Sequence, residues 1–524
     1  MDKMGGKGYG KGQSNGWNKR IESTIKDIDR YGLLLLLLML FFLGLRLYFA
    51  FTIPNFTYES YFHLRQVDQI RQTGLPLFND PLSYGGRELR FLPLFHYLAA
   101  FFSLFLPLEL VGKLLPNVLW SLLPLIVYLI GKKIEPGSRA GTILAAFISG
   151  LLPILFQPNS FTPVSLFIPL LFLTIYGFLS LPRKLYLYLI SFFLLSFTSS
   201  AAVLLLLGFG LYLLLSRIEG KIIPKTEIEL ILTSLFFFLW VQFLFFKRTL
   251  LNEGIAFIWQ NIPSPILTQY FPQFTIGQAI IAISIIPFFA GIFVVYRALF
   301  QLKNQKSFLL ISFVVSTTLV TWFRLIQFKL ALAFFGVILA ILFASFYRYF
   351  TFYLRKTKLH RWAGPLSLTL FLILAVTLIP PAIANAQQQA TPQDTELAAF
   401  HWLQEHTPVQ ATVLASLEEG HLVTWHAQRK NLMGDQFALI PDVKQRFQAL
   451  QALFTSSFLT EAIDLTDKYG INYIVLTPHA QQKYQLIRPK YYTIGCFERV
   501  YNQNETRIYR VRCSLQEIIK NEAN

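Results

Sequence analysis

Long uninterrupted apolar runs dominate this chain of 524 residues. The run LLLLLLMLFFLGL from Leu33 is followed by many stretches of similar character, and Phe alone occurs 52 times. A bilayer core of about 30 Å is crossed by about 20 helical residues. Only 14% of the residues are charged, against about 25% in soluble domains. The sequence therefore excludes a single water-soluble globule and predicts a polytopic α-helical membrane domain.

The formal net charge of +18 is concentrated in short segments. Half of the Lys and Arg residues lie in segments 1–30, 132–139, 182–184, 217–227, 297–306 and 348–361. Short basic loops are typical of the cytoplasmic side of a membrane. The charge thus indicates topology, and no nucleic-acid partner is expected. Residues 1–30, rich in Gly and Lys, are predicted to form a disordered basic cytoplasmic tail.

About eleven membrane spans fit between these basic segments. They are predicted at 31–53, 112–131, 139–156, 165–181, 185–199, 200–216, 228–246, 279–297, 308–322, 330–347 and 363–382. With the N-terminus inside, an odd number of spans places the C-terminus outside, together with two large loops, 54–111 and 247–278. The apolar stretch FLPLFHYLAAFFSLFLP from Phe91 is interpreted as a re-entrant or interfacial helix. The alternative is that it spans and that two adjacent spans fuse.

A linker, PPAIANAQQQATPQD from Pro380, separates the transmembrane domain (31–382) from residues 383–524. This last part mixes helical patterns with short apolar strands, which predicts an extracytoplasmic α/β domain. Cys496 and Cys513 flank a predicted hairpin whose turn is centred on Asn504 and Glu505. The two cysteines would then face each other, either as a disulfide or as two buried thiols.

The first outer loop carries the pattern YESYFHLRQVDQI from Tyr58. Read as a helix, it places Glu59, His63 and Gln66 on one face, with Arg65 to one side. A carboxylate just after the first span can meet a lipid phosphate through a metal ion, or act as a base. The alternative interpretation is an interfacial amphipathic helix whose charges are solvated.

This pattern resembles the motif after the first span in the catalytic subunit of oligosaccharyltransferase, a polytopic C-type glycosyltransferase. The family pattern is an Asp, one residue, two aromatics, His, any residue and Arg, and here Glu59 replaces the Asp. PLFNDPLSYGG from Pro76 is similar to the loop that follows. In the C-terminal part, ATVLASLEEGHLVTWHAQRKNLMGDQF from Ala411 resembles the segment that contains the family's WWDYG signature, with SLEEG in its place.

The resemblance implies transfer of a glycan from a polyprenyl phosphate or diphosphate carrier to an Asn of an acceptor protein. It implies Glu59 as the catalytic carboxylate and as a tentative metal ligand, with Mg²⁺ or Mn²⁺ as the cofactor. His63 and Arg65 would support the loop or the donor phosphate. The family also has a cation that meets the donor phosphate, which would be Arg324 or Lys329 in TWFRLIQFK; the alternative is an interfacial cation that snorkels. Arg46, in the outer half of the first span, is expected to snorkel, with pairing or contact with the carrier phosphate as the alternatives. On the acceptor side it implies three residues at the signature position, namely Glu418, Glu419 and Gly420.

The sequence departs from the family at its other acidic motifs. Ser416 and Leu417 replace the two Trp of WWDYG. FQPNSFTPVSLFIP from Phe156 has Ser160 and Thr162 where acids are expected, and WQNIPSPILTQYF in the second outer loop has no acid. A hydroxyl acceptor needs one general base, and Glu59 alone supplies it.

Three hypotheses follow for this multi-pass protein of the cell membrane. The first is a glycosyltransferase of the oligosaccharyltransferase type, which uses a lipid-linked glycan donor and an acceptor protein on the outer face. The second is a related transferase with a hydroxyl or lipid acceptor. The third is a non-catalytic paralogue that binds the lipid-linked glycan. Membrane lipids are expected partners in each case.

Overall fold

The computed structural model describes residues 30–254, 275–302, 305–323, 325–437, 439–493 and 495–514. The described residues between 30 and 387 are mainly helical. In chain order they are α1 (Arg30–Thr52), α2 (Tyr58–Thr73), α3 (Leu94–Phe102), α4 (Leu108–Ile134), α5 (Arg139–Gly150), α6 (Val164–Leu179), α7 (Leu185–Ser196), α8 (Val203–Ile218), α9 (Lys225–Glu253), α10 (Ile276–Ile283), α11 (Ile285–Arg297), α12 (Gln305–Trp322), α13 (Phe328–Lys356) and α14 (Ala363–Gln387).

Length and composition qualify six helical stretches as membrane spans within the described residues. They are Arg30–Thr52, Leu108–Ile134, Ser200–Ile218, Lys225–Leu251, Phe328–Lys356 and Lys358–Gln387, and the bent pair α10–α11 would make a seventh. The other predicted spans also coincide with helices, but α5 and α7 have 12 residues each, which is about 18 Å at 1.5 Å per residue. The polytopic helical domain is therefore confirmed, while six or seven full-length spans stand against the predicted eleven.

The predicted span 279–297 is not one continuous helix within the described residues. The chain bends by 92° between α10 and α11, and Ser284 between them has a positive φ of 72°. Pro287 lies in the first turn of α11, where its missing N–H costs no helical hydrogen bond. The proline therefore lies just after the break, in the first helical turn, where it costs no hydrogen bond.

The stretch that begins at Phe91 contains the nine-residue helix α3. Nine residues cover about 14 Å, which is too short to cross a bilayer. Its buried residues include Phe95 and His96, whereas Tyr97, Phe101 and Phe102 are exposed. This agrees with an interfacial helix and not with a span.

The helical bundle has two distinct ends. At one end, Gly112 packs so closely against the Phe56 ring that an added Cβ would lie 2.8 Å from it. At the other end, Glu135 accepts a hydrogen bond from Arg348. Helix α4 runs from the first end to the second and is about 40 Å long. We call the first the domain end, because the C-terminal domain contacts it, and the second the basic end.

Helix α14 leads from the basic end to the C-terminal domain. It continues through Pro380 and Pro381 to Gln387, so the predicted linker is helical over its first eight residues. Near the end of this helix, the side chain of Asn385 donates to the carbonyl of Pro153 (2.8 Å). The helices of the C-terminal domain start with α15 (Asp394–His406).

The C-terminal domain is built around a five-stranded mixed sheet. Its strands are β3 (Thr412–Leu414), β4 (Lys430–Asn431), β5 (Ile471–Leu476), β6 (Phe497–Gln503) and β7 (Thr506–Val511); the short strands β1 (Asn79–Asp80) and β2 (Arg87–Glu88) lie in the loop between α2 and α3. The longer helices after α15 are α16 (Val443–Thr455), α17 (Leu459–Tyr469) and α18 (Pro478–Tyr484). The spatial order is β4-β3-β5-β7-β6, with β3 parallel to β4 and β5 and the last two pairs antiparallel. The predicted α/β architecture is confirmed.

The predicted hairpin is also confirmed. Strands β6 and β7 pair with each other, and both turn residues, Asn504 and Glu505, have positive φ, as a two-residue hairpin turn requires. Cys496 and Cys513 are joined by a disulfide, with their Cα atoms 4.7 Å apart. Of the two alternatives left open by the sequence, the structure contains the disulfide.

Candidate active site

Helix α2 presents Glu59 at the domain end of the bundle. The helix begins at Tyr58, one residue before Glu59, and ends before Gly74. A carboxylate in the first turn is favoured by the unpaired N–H groups there. The Glu59 side chain is 47% exposed, and its Oε1 lies 3.9 Å from Nε2 of His63 one turn further on. The predicted face of Glu59 and His63 thus exists, with the carboxylate open to solvent.

The other ring nitrogen of His63 contacts a second histidine. Its Nδ1 lies 2.9 Å from Nε2 of His96 on α3, and both rings are buried. Burial, followed by the proximity of His63, lowers the pKa of His96 well below its ordinary value. His96 is therefore neutral, and the imidazole pair fixes the ring of His63 beside Glu59.

Arg65 supports the loop that follows α2. Its guanidinium makes two hydrogen bonds to the Asp80 carboxylate, at 2.7 and 2.8 Å, and Asp80 also accepts from the backbone N–H of Leu82 and Ser83. Burial alone would raise the pKa of Asp80, but Arg65 and these N–H groups lower it. Of the two roles expected for Arg65, this geometry favours loop support over contact with a phosphate.

The loop between α2 and α3 is docked on the C-terminal domain. It contains the short antiparallel strands β1 (Asn79–Asp80) and β2 (Arg87–Glu88). The carbonyl of Leu82 accepts from the N–H of Asn431 (3.0 Å), and the Asn431 side chain accepts from the N–H of Tyr84 (2.7 Å). The first outer loop and the C-terminal domain therefore share one face of the protein.

Three aromatic rings of α2 continue this interface. Tyr58 lies against His479, with ring centroids 5.0 Å apart. Tyr61 lies 5.0 Å from His426, and Phe62 lies 5.5 Å from His421. The helix that carries Glu59 is thus packed against residues 383–524, on the same side of the membrane domain.

The segment after α5, where the family has its second acidic motif, also meets α2. The Asn159 carbonyl accepts from the N–H of Thr57 (3.2 Å) and from the Ser60 hydroxyl (3.3 Å). The N–H of Phe161 donates to Ser60 Oγ (2.8 Å). The fold therefore brings the two motif segments together, but the second one contributes no carboxylate.

The three residues at the signature position differ in accessibility. Glu418 is 32% exposed and accepts two hydrogen bonds from Lys483, at 2.7 and 2.8 Å. Burial would raise its pKa, but His479 and Lys483 outweigh burial and lower the pKa of Glu418 to about 2. Glu418 is therefore ionised throughout the physiological range.

Glu419 and Gly420 lie inside the domain. Glu419 accepts from the N–H of Ser416 (3.0 Å) and from the Thr477 hydroxyl, and its complete burial raises its pKa. A Cβ on Gly420 would lie 2.2 Å from the Met433 carbonyl. Their acceptor-side roles stay predictions, and Glu418 is the solvent-accessible residue of the three.

The cations that the sequence proposes for the donor phosphate are Arg324 and Lys329. Arg324 lies outside the described residues, as does loop segment 255–274, while Lys329 is exposed in the first turn of α13.

Arg46, which the sequence suggests would snorkel to the interface, is only 2% exposed. It donates to the Leu155 carbonyl (3.0 Å) and lies 4.6 Å above the Phe156 ring. That expectation was wrong, because the Leu155 carbonyl and the Phe156 ring, in the segment after α5, supply partners inside the bundle.

The ligand set for a divalent metal is not assembled in the described part of the chain. No group of three His, Cys, Asp or Glu side chains there could hold an ion. Glu59 lies beside His63, and the Asp80 carboxylate forms an ion pair with Arg65. The described residues by themselves therefore do not supply the ligand set expected for the Mg²⁺ or Mn²⁺ that the resemblance implies.

Several residues of this site could not be selected from the sequence. His96 belongs to an apolar stretch, and only the packing of α3 on α2 brings it to His63. His479 and Lys483 lie more than 400 residues from Tyr58 in the chain but reach the same interface. Asp80, within the NDPLSYGG loop, carried the one available signal, an acid after a strand-like segment.

No protein-family model and no curated protein sequence matches the chain. Solved structures do. The Archaeoglobus fulgidus oligosaccharyltransferase in the apo form superimposes with a TM-score of 0.63 at 14% identity, over 86% of this chain and 70% of that one. The fold is that of the oligosaccharyltransferase structures. The resemblance inferred from Glu59–Arg65 and residues 411–437 is thereby confirmed at the level of fold.

Two further structures share this fold less closely. The arabinofuranosyltransferase AftD from Mycobacteria has a TM-score of 0.54 at 14% identity, over 91% of this chain and 40% of that one. ArnT from Cupriavidus metallidurans in the apo state has a TM-score of 0.51 at 10% identity, over 90% and 97%. Identities this low establish a shared architecture and nothing finer.

Proposed function

We propose that this chain is a membrane glycosyltransferase that uses a polyprenyl (dolichyl) phosphate-type donor, with Glu59 as its essential carboxylate. The observation that carries the proposal is the position of Glu59. It is half-exposed at the domain end, beside the segment 156–163 and on a helix packed against the C-terminal domain. The shared fold supports the donor class, since the Archaeoglobus enzyme was solved with a dolichol-phosphate and ArnT with undecaprenyl phosphate.

Segment 156–163 brings no second carboxylate to Glu59, and this favours a hydroxyl group, on a protein or a lipid, as the acceptor. The acceptor oxygen attacks the anomeric carbon, the bond from that carbon to the phosphate oxygen breaks, and the phosphate leaves on its carrier. Glu59 takes the proton from the hydroxyl. General-base assistance of this kind contributes about 10²–10⁴-fold in rate, and the neighbouring His63 and His96 keep the carboxylate in place.

A second candidate is transfer to the side-chain amide of Asn in an acceptor protein. The likeness to the oligosaccharyltransferase favours it, because that overlap has a higher TM-score than those with AftD and ArnT. One Archaeoglobus structure was solved with a tethered acceptor peptide that contains an NVT sequon. In this reading Glu59 orients the amide and Glu418 lies on the acceptor side.

Both candidates assign the same supporting residues. Arg65 holds the loop after α2, and Arg324 meets the donor phosphate, the latter on the sequence resemblance alone. The domain end, with residues 383–524, faces the outside of the cell, and the short basic loops face the cytoplasm. The protein is then a multi-pass protein of the cell membrane.

Transfer from a radiolabelled polyprenyl-phosphate-linked sugar tests the proposal. The full-length protein in lipid nanodiscs would be offered a peptide with a sequon, the same peptide with its Asn changed to Gln, and a set of hydroxyl-bearing lipids. We expect label on a hydroxyl acceptor. Label on the sequon peptide that disappears in the Gln peptide would instead establish the second candidate.

The third hypothesis, a non-catalytic paralogue, gives a different pattern. It predicts saturable binding of the labelled donor with no acceptor labelled at any protein concentration. Binding without transfer, across donors that differ in sugar and in carrier length, would therefore overturn the proposed activity.

A further inference from the structure

A groove lined almost wholly by apolar atoms lies at the basic end of the bundle. Its volume is about 250 Å³, and it is open on one side. It lies between α11, the C-terminal part of α13 and the segment that follows α13. Six residues that line it are Phe293, Phe346, Tyr349, Phe350, Tyr353 and Leu354. An open, aromatic cleft of this kind marks a place where an apolar ligand binds.

Arg297 lies at the rim of this groove. Its guanidinium carbon is 4.2 Å from the centroid of the Tyr349 ring and 5.7 Å from that of Tyr353. Its Nη1 donates to the Tyr353 hydroxyl (3.0 Å), and its buried Nε has no hydrogen-bond partner among the residues that the structure describes. A guanidinium fixed by stacked rings is well suited to bind a phosphate.

Further basic residues surround the groove. The segment 348–361 carries five Lys or Arg residues and no acid. Arg355, Lys356, Lys358 and Arg361 are exposed, and Lys356 Nζ lies 4.4 Å from the centroid of the Phe352 ring. Trp362 nearby is 61% exposed, as is typical of aromatic residues at the membrane interface. The polar partner that fits this surface is therefore an anion at headgroup depth.

We propose that this aromatic groove binds one phospholipid with an anionic headgroup. An acyl chain lies along the rings, and the headgroup phosphate accepts hydrogen bonds from Arg297. The site lies at the end of the bundle opposite to Glu59, and the full length of α4 separates the two. The inference therefore stands independently of the proposed transferase activity. Basic pockets between helices on the cytoplasmic side are a known kind of site for acidic lipids.

Native mass spectrometry of the full-length protein in detergent tests the proposal. The protein would be titrated with dioleoyl phosphatidylglycerol and, separately, with dioleoyl phosphatidylcholine. We expect one phosphatidylglycerol to bind about five-fold more tightly than phosphatidylcholine. Arg297→Gln should remove this preference, which at about 1.4 kcal/mol per tenfold is a loss of about 1 kcal/mol.

Arg183→Gln is the matched control. Arg183 is exposed in a short basic loop after α6, so the variant makes the same charge change away from the groove and should keep the preference. A phosphatidylglycerol with a photoreactive acyl chain should label peptides from 346–354. Thermal melting of each variant establishes that it is folded.

Four results would overturn the proposal, and the first three concern the phospholipids and the variants. They are equal binding of the two phospholipids, equal loss in both arginine variants, and photolabelling confined to other helices. Preferential binding of a polyprenyl phosphate to the same peptides would also reject it, because the occupant would then be the carrier lipid.

Discussion

The segment around Glu59 and the segment 416–420 face each other across the interface of the two domains. Their carboxylates differ in solvent exposure and in the groups that bind them. Glu59 lies on an exposed first helical turn, with His63 3.9 Å away. Glu418 is bound by Lys483, and Glu419 is buried with both oxygens engaged. A glutamate is available for chemistry where it is accessible and its carboxylate is not held by a cation such as Lys483. The comparison therefore singles out Glu59.

The largest expected effect comes from Glu59→Gln. The variant keeps the size of the side chain but removes the base, so transfer from the labelled donor should fall by about 10²–10⁴-fold. Donor binding should change little. Asp68→Asn, on the same helix but hydrogen-bonded to Gln72, is the matched control and should stay active. Unchanged turnover of Glu59→Gln would show that Glu59 is not the essential carboxylate.

The next effect concerns stability and not transfer. Glu419→Ala leaves the Ser416 N–H and the Thr477 hydroxyl without their acceptor, at a cost of about 1–3 kcal/mol. A thermal melt should show this loss, while Glu405→Ala, at an exposed position, should melt like the wild type. An unaltered melting temperature together with lost transfer would give Glu419 a direct role at the acceptor.

A smaller effect is expected for Glu418 in acid. Its pKa of about 2 in the folded protein lies below the ordinary 4.5, so the ionised form stabilises the folded state above pH 4.5. That contribution is lost as the pH falls from about 4.5 towards 2. Melting curves of Glu418→Gln should therefore be less acid-sensitive than those of the wild type over this range. Equal acid sensitivity would mean that the Lys483 pair does not persist in solution.

The smallest effect is expected from metal removal. The described residues bring no second carboxylate to Glu59, so dialysis against EDTA should change the transfer rate by less than about two-fold. The control is readdition of Mg²⁺ or Mn²⁺ after dialysis. A loss that either ion restores would show that residues 255–274 or the substrate complete a site that the described part of the chain lacks.

Much of the fold could be predicted from the sequence. Apolar length located the helices, and alternation with turn residues located the hairpin around Asn504 and its flanking cysteines. The motif around Glu59 indicated the fold that the solved structures share. These features depend on local pattern, because solvent or lipid acts on each residue according to its position along one helix or strand.

The site itself could be predicted only in part. The sequence named Glu59, His63 and Arg65, but it ranked Glu418 and Glu419 equally. It could not pair His63 with His96 or show that Arg46 is enclosed by aromatic rings. Partners such as these lie on separate elements, at least 33 residues away in the chain, so no local pattern records them.

The sequence by itself thus determined that the chain is a multi-helix membrane protein with an α/β domain and an acidic motif after its first helix. Only the tertiary structure decided which carboxylate is accessible, which arginine supports a loop, and where the helix predicted at 279–297 breaks. The physical reason is that hydropathy is a property of each residue, whereas burial and ion pairing are properties of neighbours. Those neighbours are set when the helices pack.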